Sequence, residues 1–188
     1  MTMRCERRIL AQGDMDGACF VYGLANAVLA LPGHAPEHAK MSRAMAMVPR
    51  PADLLDLRAG TTGAAWTPKL LTQTAQGFLA NIGRPDICVG IIDMHGPQSI
   101  RNGIGKTSVV LFRFIGSTRM TMNVDHWTLG VGTMGASGIH LACPLRLTRA
   151  TSGRAAPYLE YIDEASGRTC NDFLSDADVF RLKGPALR

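Results

Sequence analysis

The chain changes texture once, near residue 85, and that break restricts its fold more than any other feature. Before it, apolar residues recur at helical spacing. "CFVYGLANAVLAL", residues 19–31, is the first such run, and "PGH" ends it. "APEHAKMSRAMAMV", about 35–48, is the second. "PRPADLLDLRAGTTGAAW" is loop-rich, with one short helical turn expected around Leu54 to Leu57. "TPKLLTQTAQGFLANIG" reads as a further helix, with Thr67 as N-cap, Pro68 at the first helical position and Gly83 as the stop. After the break come "DICVGIIDM", "TSVVLFRFI", "TMNVDHWTLGVGT", "GIHLACPLRL" and "PYLEYIDEA". These are short, rich in branched and aromatic residues, and bounded by Gly, Pro, Asn or Ser, as strands are. The tail "DADVFRL" is expected to add an edge strand. Helices first and strands second exclude alternating βαβ units and predict an α+β domain. With 188 residues and no internal repeat or linker, one domain is expected over 1–188.

Composition removes several classes of function. Hydrophobic residues are 46% and charged residues 19%, a soluble globular profile. No apolar run reaches the ~18–20 residues of a membrane-spanning helix. "MTMRCERRILAQGD" has no long apolar segment after its cations, so no secretory signal is expected. The expected location is the cytoplasm, or outside the cell by a signal-independent secretion machine. The five cysteines, Cys5, Cys19, Cys88, Cys143 and Cys170, are odd in number and form no close pair. That argues against a disulfide framework, and the absence of C-x-x-C argues against a thiolate zinc site. No metal or cofactor is expected. Cys88 and Cys143 lie in strand-like runs and read as buried structural thiols. The formal charge of +5 is scattered, and aromatic residues are 6%, too few for a base-stacking surface. Nucleic acid is therefore not the expected partner, whereas attraction to an acidic surface or polymer fits.

Chemistry concentrates at "AQGDMDGACFVYGLANAV", residues 11–28. Cys19 follows a polar turn and opens the first helix. A helix N-terminus presents backbone N–H groups and a partial positive charge, which favour thiolate over thiol. The same groups can hold an oxyanion formed beside the sulfur. Asp14 and Asp16 are ordinary turn formers that shape the loop. A nucleophile needs a base. His34 and His38 flank a Pro near the surface, His95 sits in a turn, and His140 lies mid-strand. His126, in "MNVDHWTLGVG", starts an apolar strand beside Trp127. Taken singly, a buried Cys and a strand-edge His are most often structural.

Together, "QGDMDGACF" and, about a hundred residues later, "DHWTLGVG" resemble the papain-like cysteine peptidases, the small bacterial members most closely. The motifs cover roughly thirty residues of the chain. The resemblance implies helices followed by a mostly antiparallel sheet, with Cys19 as nucleophile, His126 as base and Gln12 as oxyanion donor. It also implies a carboxylate or amide that orients the histidine. In the family this group usually lies ~15–20 residues beyond the His; here "LACPLRL" offers none. Asp163 in "YLEYIDEASG" is the next candidate, set back by the hairpin that "TMGASGIHL" suggests. Asp125 would point to the opposite strand face. The implied activity is a thiol hydrolase acting on a peptide, isopeptide or amide bond of a peptide or protein substrate. Deamidase and transglutaminase reactions use the same groups. The rival reading is a papain-like scaffold that serves only as a binding module.

"NGIGKTSVVLF" imitates a phosphate-binding loop. Position 100 is Ile where that motif needs Gly, and a strand-like run follows where it needs a helix.

Overall fold

The computed structural model describes residues 18–33, 36–54, 66–92, 97–114, 126–134, 138–142, 160–162 and 174–185. Helices α1 (Cys19–Ala30), α2 (His38–Ala46), α3 (Pro51–Leu54) and α4 (Pro68–Asn81) come first. Strand β1 (Cys88–Ile91) and helix α5 (Pro97–Gly103) follow. The chain then runs through β2 (Ser108–Phe114), β3 (His126–Met134), β4 (Gly138–Ala142), β5 (Glu160–Ile162) and β6 (Leu174–Lys183). Every strand pairing is antiparallel, in the order β1-β6-β2-β3-β4-β5. The domain is thus α+β.

Local chemistry sets the helix boundaries. The Thr67 hydroxyl accepts the Leu70 N–H at 3.3 Å, and Pro68 follows at the first helical position. At the other end Gly83 takes φ 82°, a left-handed value that strains any residue with a Cβ. Its N–H reaches the Ala80 carbonyl at 3.0 Å, and the Arg84 N–H reaches that of Leu79 at 2.8 Å, a Schellman closure. The short helical turn expected at Leu54 begins earlier, on Pro51; residues 55–57 lie outside the described residues.

Two expectations are corrected. The tail strand is not an edge: β6 lies between β1 and β2. Exposed Arg181 and Lys183 gave it an edge-like look, yet fully buried Leu182 between them faces the core. Alternation reports faces, not hydrogen-bonded neighbours. Cys88 is exposed, not buried, because β1 is the edge strand and only Val89 packs against the core. Helix α5, which starts at the end of "DMHGPQ", is not anticipated by the sequence pattern; the turn expected at His95 lies outside the described residues. The helix opens on Pro97, carries a Gln98-to-Asn102 side-chain hydrogen bond of 2.8 Å, and buries Ile100 completely.

The main core lies between the sheet and helices α1 and α4. Phe20, Leu24, Leu71 and Phe78 meet Leu111, Trp127, Leu129 and Leu182 there. Helix α1 is buried along nearly its whole length. It rests so closely on β2 that a Cβ added at Gly23 would stand 2.5 Å from Leu111 Cδ1. Helix α5 covers part of the opposite face: a Cβ on Gly103 would stand 2.6 Å from Val110 Cγ2.

Buried Arg84 ties the two helices together. Its guanidinium donates to both Asp86 carboxylate oxygens at 2.9–3.1 Å and to the Pro32 carbonyl at 2.7 Å. The hydrogen bonds from Arg84 hold the Asp86 carboxyl below the usual carboxylate range. A carboxyl whose pKa falls on folding adds stability above its unfolded value, and that stability drains as pH drops through the folded one. Asp86→Asn should therefore lower the melting temperature at neutral pH. The difference from wild type should shrink as pH falls below the ordinary carboxylate value of about 3.9 and on through the lower folded one. Melting curves across that range check it; a constant difference would deny the ion pair its role.

Candidate active site

Helix α1 begins at Cys19 with no side-chain cap, since Ala18 precedes it. The first helical bond runs from the Tyr22 N–H to the Ala18 carbonyl at 3.0 Å. Cys19 therefore occupies the positive end of a twelve-residue helix. The residue is only 7% exposed. Its sulfur accepts a hydrogen bond from the backbone N–H of Trp127 at 3.5 Å. A donor aimed at sulfur favours the thiolate, as the helix end does.

That contact also locates the histidine backbone. Covalent geometry puts the His126 Cα ~2.4 Å from the Trp127 nitrogen, so it lies within about 6 Å of the Cys19 sulfur. Strand β3 starts at His126, as the sequence predicts. Below the thiol, Phe20 and Trp127 are both fully buried and meet edge to face, with centroids 4.9 Å apart at 69°. This contact fixes the first turn of α1 on the first residues of β3.

Among the histidines, His140 is the one whose side chain the structure describes. His140 is half-buried, and desolvation lowers its pKa, which keeps it neutral near pH 7. It pairs with Gly132, five positions beyond Trp127, or ~16 Å along the strand. His34 and His95 lie outside the described residues. So do Gln12, Asp14, Asp16, Cys5, Cys143 and Cys170. Asp163 lies outside them too, one position past the end of β5. Its neighbour Ile162 pairs with Ile139, which pairs with Thr133. Thr133 is seven positions, or ~23 Å, from His126 along β3. The end of β5 is therefore level with the far end of the histidine's strand, with β4 between them.

The Gly-Lys-Thr decoy resolves into a tight turn. Gly105 and Ser108 exchange backbone hydrogen bonds of 2.9 and 3.4 Å around Lys106 and Thr107. The order is helix, turn, strand, the reverse of a phosphate loop. Among the described residues no group of three or more His, Cys, Asp or Glu could hold a metal ion, and no helix is long and apolar enough to cross a membrane. In comparisons with known proteins, no family model matches the chain and no curated sequence matches it.

Sequence reasoning missed the Trp127 amide, because a main-chain donor leaves no mark in a side-chain pattern. It also missed Asn26, 2% exposed on the buried side of α1, two turns after Cys19. A lone amide inside an apolar helix was the available signal.

Phe20→Leu should cost about 1–2 kcal/mol, combining the lost edge-to-face contact with a small packing defect. Hydrogen exchange at the Trp127 amide should quicken more than exchange at β6 amides. Equal acceleration at both would show that Phe20 supports the core generally and not this junction.

Proposed function

We propose that the chain is a papain-like thiol hydrolase that cleaves a peptide, isopeptide or amide bond. The observation that carries the reading is the 3.5 Å contact between the Trp127 N–H and the Cys19 sulfur. It joins a helix-opening thiol to the strand that a histidine opens, across 108 residues of sequence.

The Cys19 thiolate attacks the carbonyl carbon, with His126 as imidazolium holding the displaced proton. The carbonyl oxygen becomes an oxyanion, held by the Gln12 side chain and the Cys19 N–H. His126 gives its proton to the leaving amine, and an acyl-enzyme remains. A water molecule, deprotonated by His126, then breaks the thioester and restores the thiol. General acid–base help of this kind is worth ~10²–10⁴ in rate. Deamidation uses the same steps on a side-chain amide, and transglutamination replaces water with an amine, so the acceptor decides between them. Asp163 is the least supported member. Ile162, the residue before it, is level with the far end of β3 across β4, and Asp163→Ala should leave thiol reactivity within about twofold.

Two reagents separate the roles, both read at Cys19 itself by peptide mass spectrometry so that exposed Cys88 and the remaining thiols do not report. Iodoacetamide at about pH 6 should alkylate Cys19 readily, and His126→Ala should slow it at least ~tenfold. Alkylation builds no oxyanion, whereas acylation by p-nitrophenyl acetate does. Gln12→Ala should therefore lower acylation by ~10²–10³ while changing alkylation by less than about threefold. Gln12→Glu should acylate no faster than Gln12→Ala, because a carboxylate repels the oxyanion. Cys19 inert to both reagents in a folded chain would refute the reading. Equal losses in both reactions on Gln12→Ala would place the oxyanion site elsewhere.

A further inference from the structure

The sheet ends at β1, and this edge has chemistry of its own. Strand β1 pairs with β6 on one side and, among the described residues, with nothing on the other. Cys88, Gly90 and Ile91 are exposed, Ile91 to 53%. A Cβ added at Gly90 would meet no atom within 4 Å. The strand "CVGI" contains no charge, no proline and no bulge, the usual devices that close an edge. Only its length of four residues limits what could pair with it.

A groove of about 360 Å³ opens at the end of β1, lined by Ile91, Ile92, Ser99, Asn102, Gly103 and Arg181. Ser99 and Asn102 are three apart on α5 and so share a helix face. Among the described residues the lining is two apolar side chains, a hydroxyl, an amide and a guanidinium, with no carboxylate. More cations stand beside it. Arg181 and Lys183 are exposed and lie opposite Gly90 and Cys88, and cross-strand partners share a face. Exposed Lys106 sits in the turn before Ser108, whose partner on β6 is again Lys183. The ion pairs among the described residues, Arg50–Asp53 and Arg84–Asp86, engage none of the three.

We propose that this edge is a docking site for an extended acidic peptide segment. The segment adds to β1 as a further strand and places a carboxylate on Arg181 in the groove. An open edge offers main-chain donors and acceptors at a strand's spacing, which another extended backbone satisfies. Among the described residues the groove carries no aromatic ring on which a base could stack. A second copy of the chain fits poorly, because an antiparallel β1–β1 junction would bring two sets of Lys106, Arg181 and Lys183 together. Neither point depends on the thiol chemistry.

The test uses the full chain and two fluorescein-labelled hexapeptides, one alternating Val with Glu and one alternating Val with Gln, read by fluorescence anisotropy. The Glu peptide should bind at least about tenfold more tightly than the Gln peptide. Arg181→Glu should abolish that preference, while Lys40→Glu, on α2, should preserve it. If Arg181→Glu does not fold, Lys183→Glu carries the same expectation. Saturating Glu peptide should slow iodoacetamide alkylation of Cys88, followed by mass spectrometry, because the docked strand covers it. Four results would overturn the proposal. They are equal affinity for the two peptides, binding without protection of Cys88, equally effective competition by a poly-dT oligonucleotide, and a chain that sediments as a dimer through this edge.

Discussion

The structure depends on where the first turn of α1 meets the first residues of β3. Two rings, Phe20 and Trp127, bury themselves completely against each other there. The amide of one ring-bearing residue also points at the thiol beside the other. These groups are 108 residues apart in sequence, so local propensity cannot bring them together. What does is the apolar seam that continues from them. Leu24 and Leu71 pack with Leu111 and Leu129, and Gly23 lets the helix axis approach β2 closely. Burying rings and aliphatic chains of this size stabilises by about 1.5–3 kcal/mol per side chain, far more than a weak hydrogen bond to sulfur. The thiol is therefore positioned by the core, and its hydrogen bond is a consequence of that packing.

The two ends of α1 are held by different physics. Ring packing seats the N-terminal end. Near the C-terminal end, Arg84 reaches the Pro32 carbonyl while gripping Asp86, so a charged clamp links α1 to the turn that leaves α4. A helix fixed at both ends against a sheet is a rigid mount, and reactive groups on rigid elements keep their geometry better than groups on loops. The Cys19 end of α1 meets β3, three strand positions from the open β1 edge. Strands β6 and β2 stand between β1 and β3. Chemistry and docking can therefore be altered separately by substitution.

Much of this was legible in the residues. The start of α1 at Cys19 and of β3 at His126 showed in the switch from turn residues to apolar periodicity. Thr67, Pro68 and Gly83 marked the ends of α4 because cap and stop chemistry is local. What was not legible is long-range. The insertion of β6 between β1 and β2 depends on which strands pair, and a strand's own pattern does not say that. Cys88 looked like a core residue because an apolar edge strand and an apolar inner strand read alike. The Trp127 amide was invisible because every residue except proline has one. Asp163 lies outside the described residues; the residue before it, Ile162, is level with Thr133 of β3, a register that sequence distance does not report.

The central claim is that Cys19 and His126 share a proton. The most direct measurement is the His126 titration, followed through its imidazole ¹⁵N shifts by NMR in the wild-type chain and in Cys19→Ser. A thiolate partner holds the imidazolium, so in wild type His126 should stay protonated well above the ordinary histidine value of about 6.5. In Cys19→Ser that partner is gone, and the midpoint should fall by at least about one unit. The two groups titrate as a pair, so the wild-type curve should also carry a second inflection where the thiol takes up its proton. Superimposable His126 curves in the two proteins would contradict the claim, because a histidine indifferent to the loss of the sulfur does not act on it.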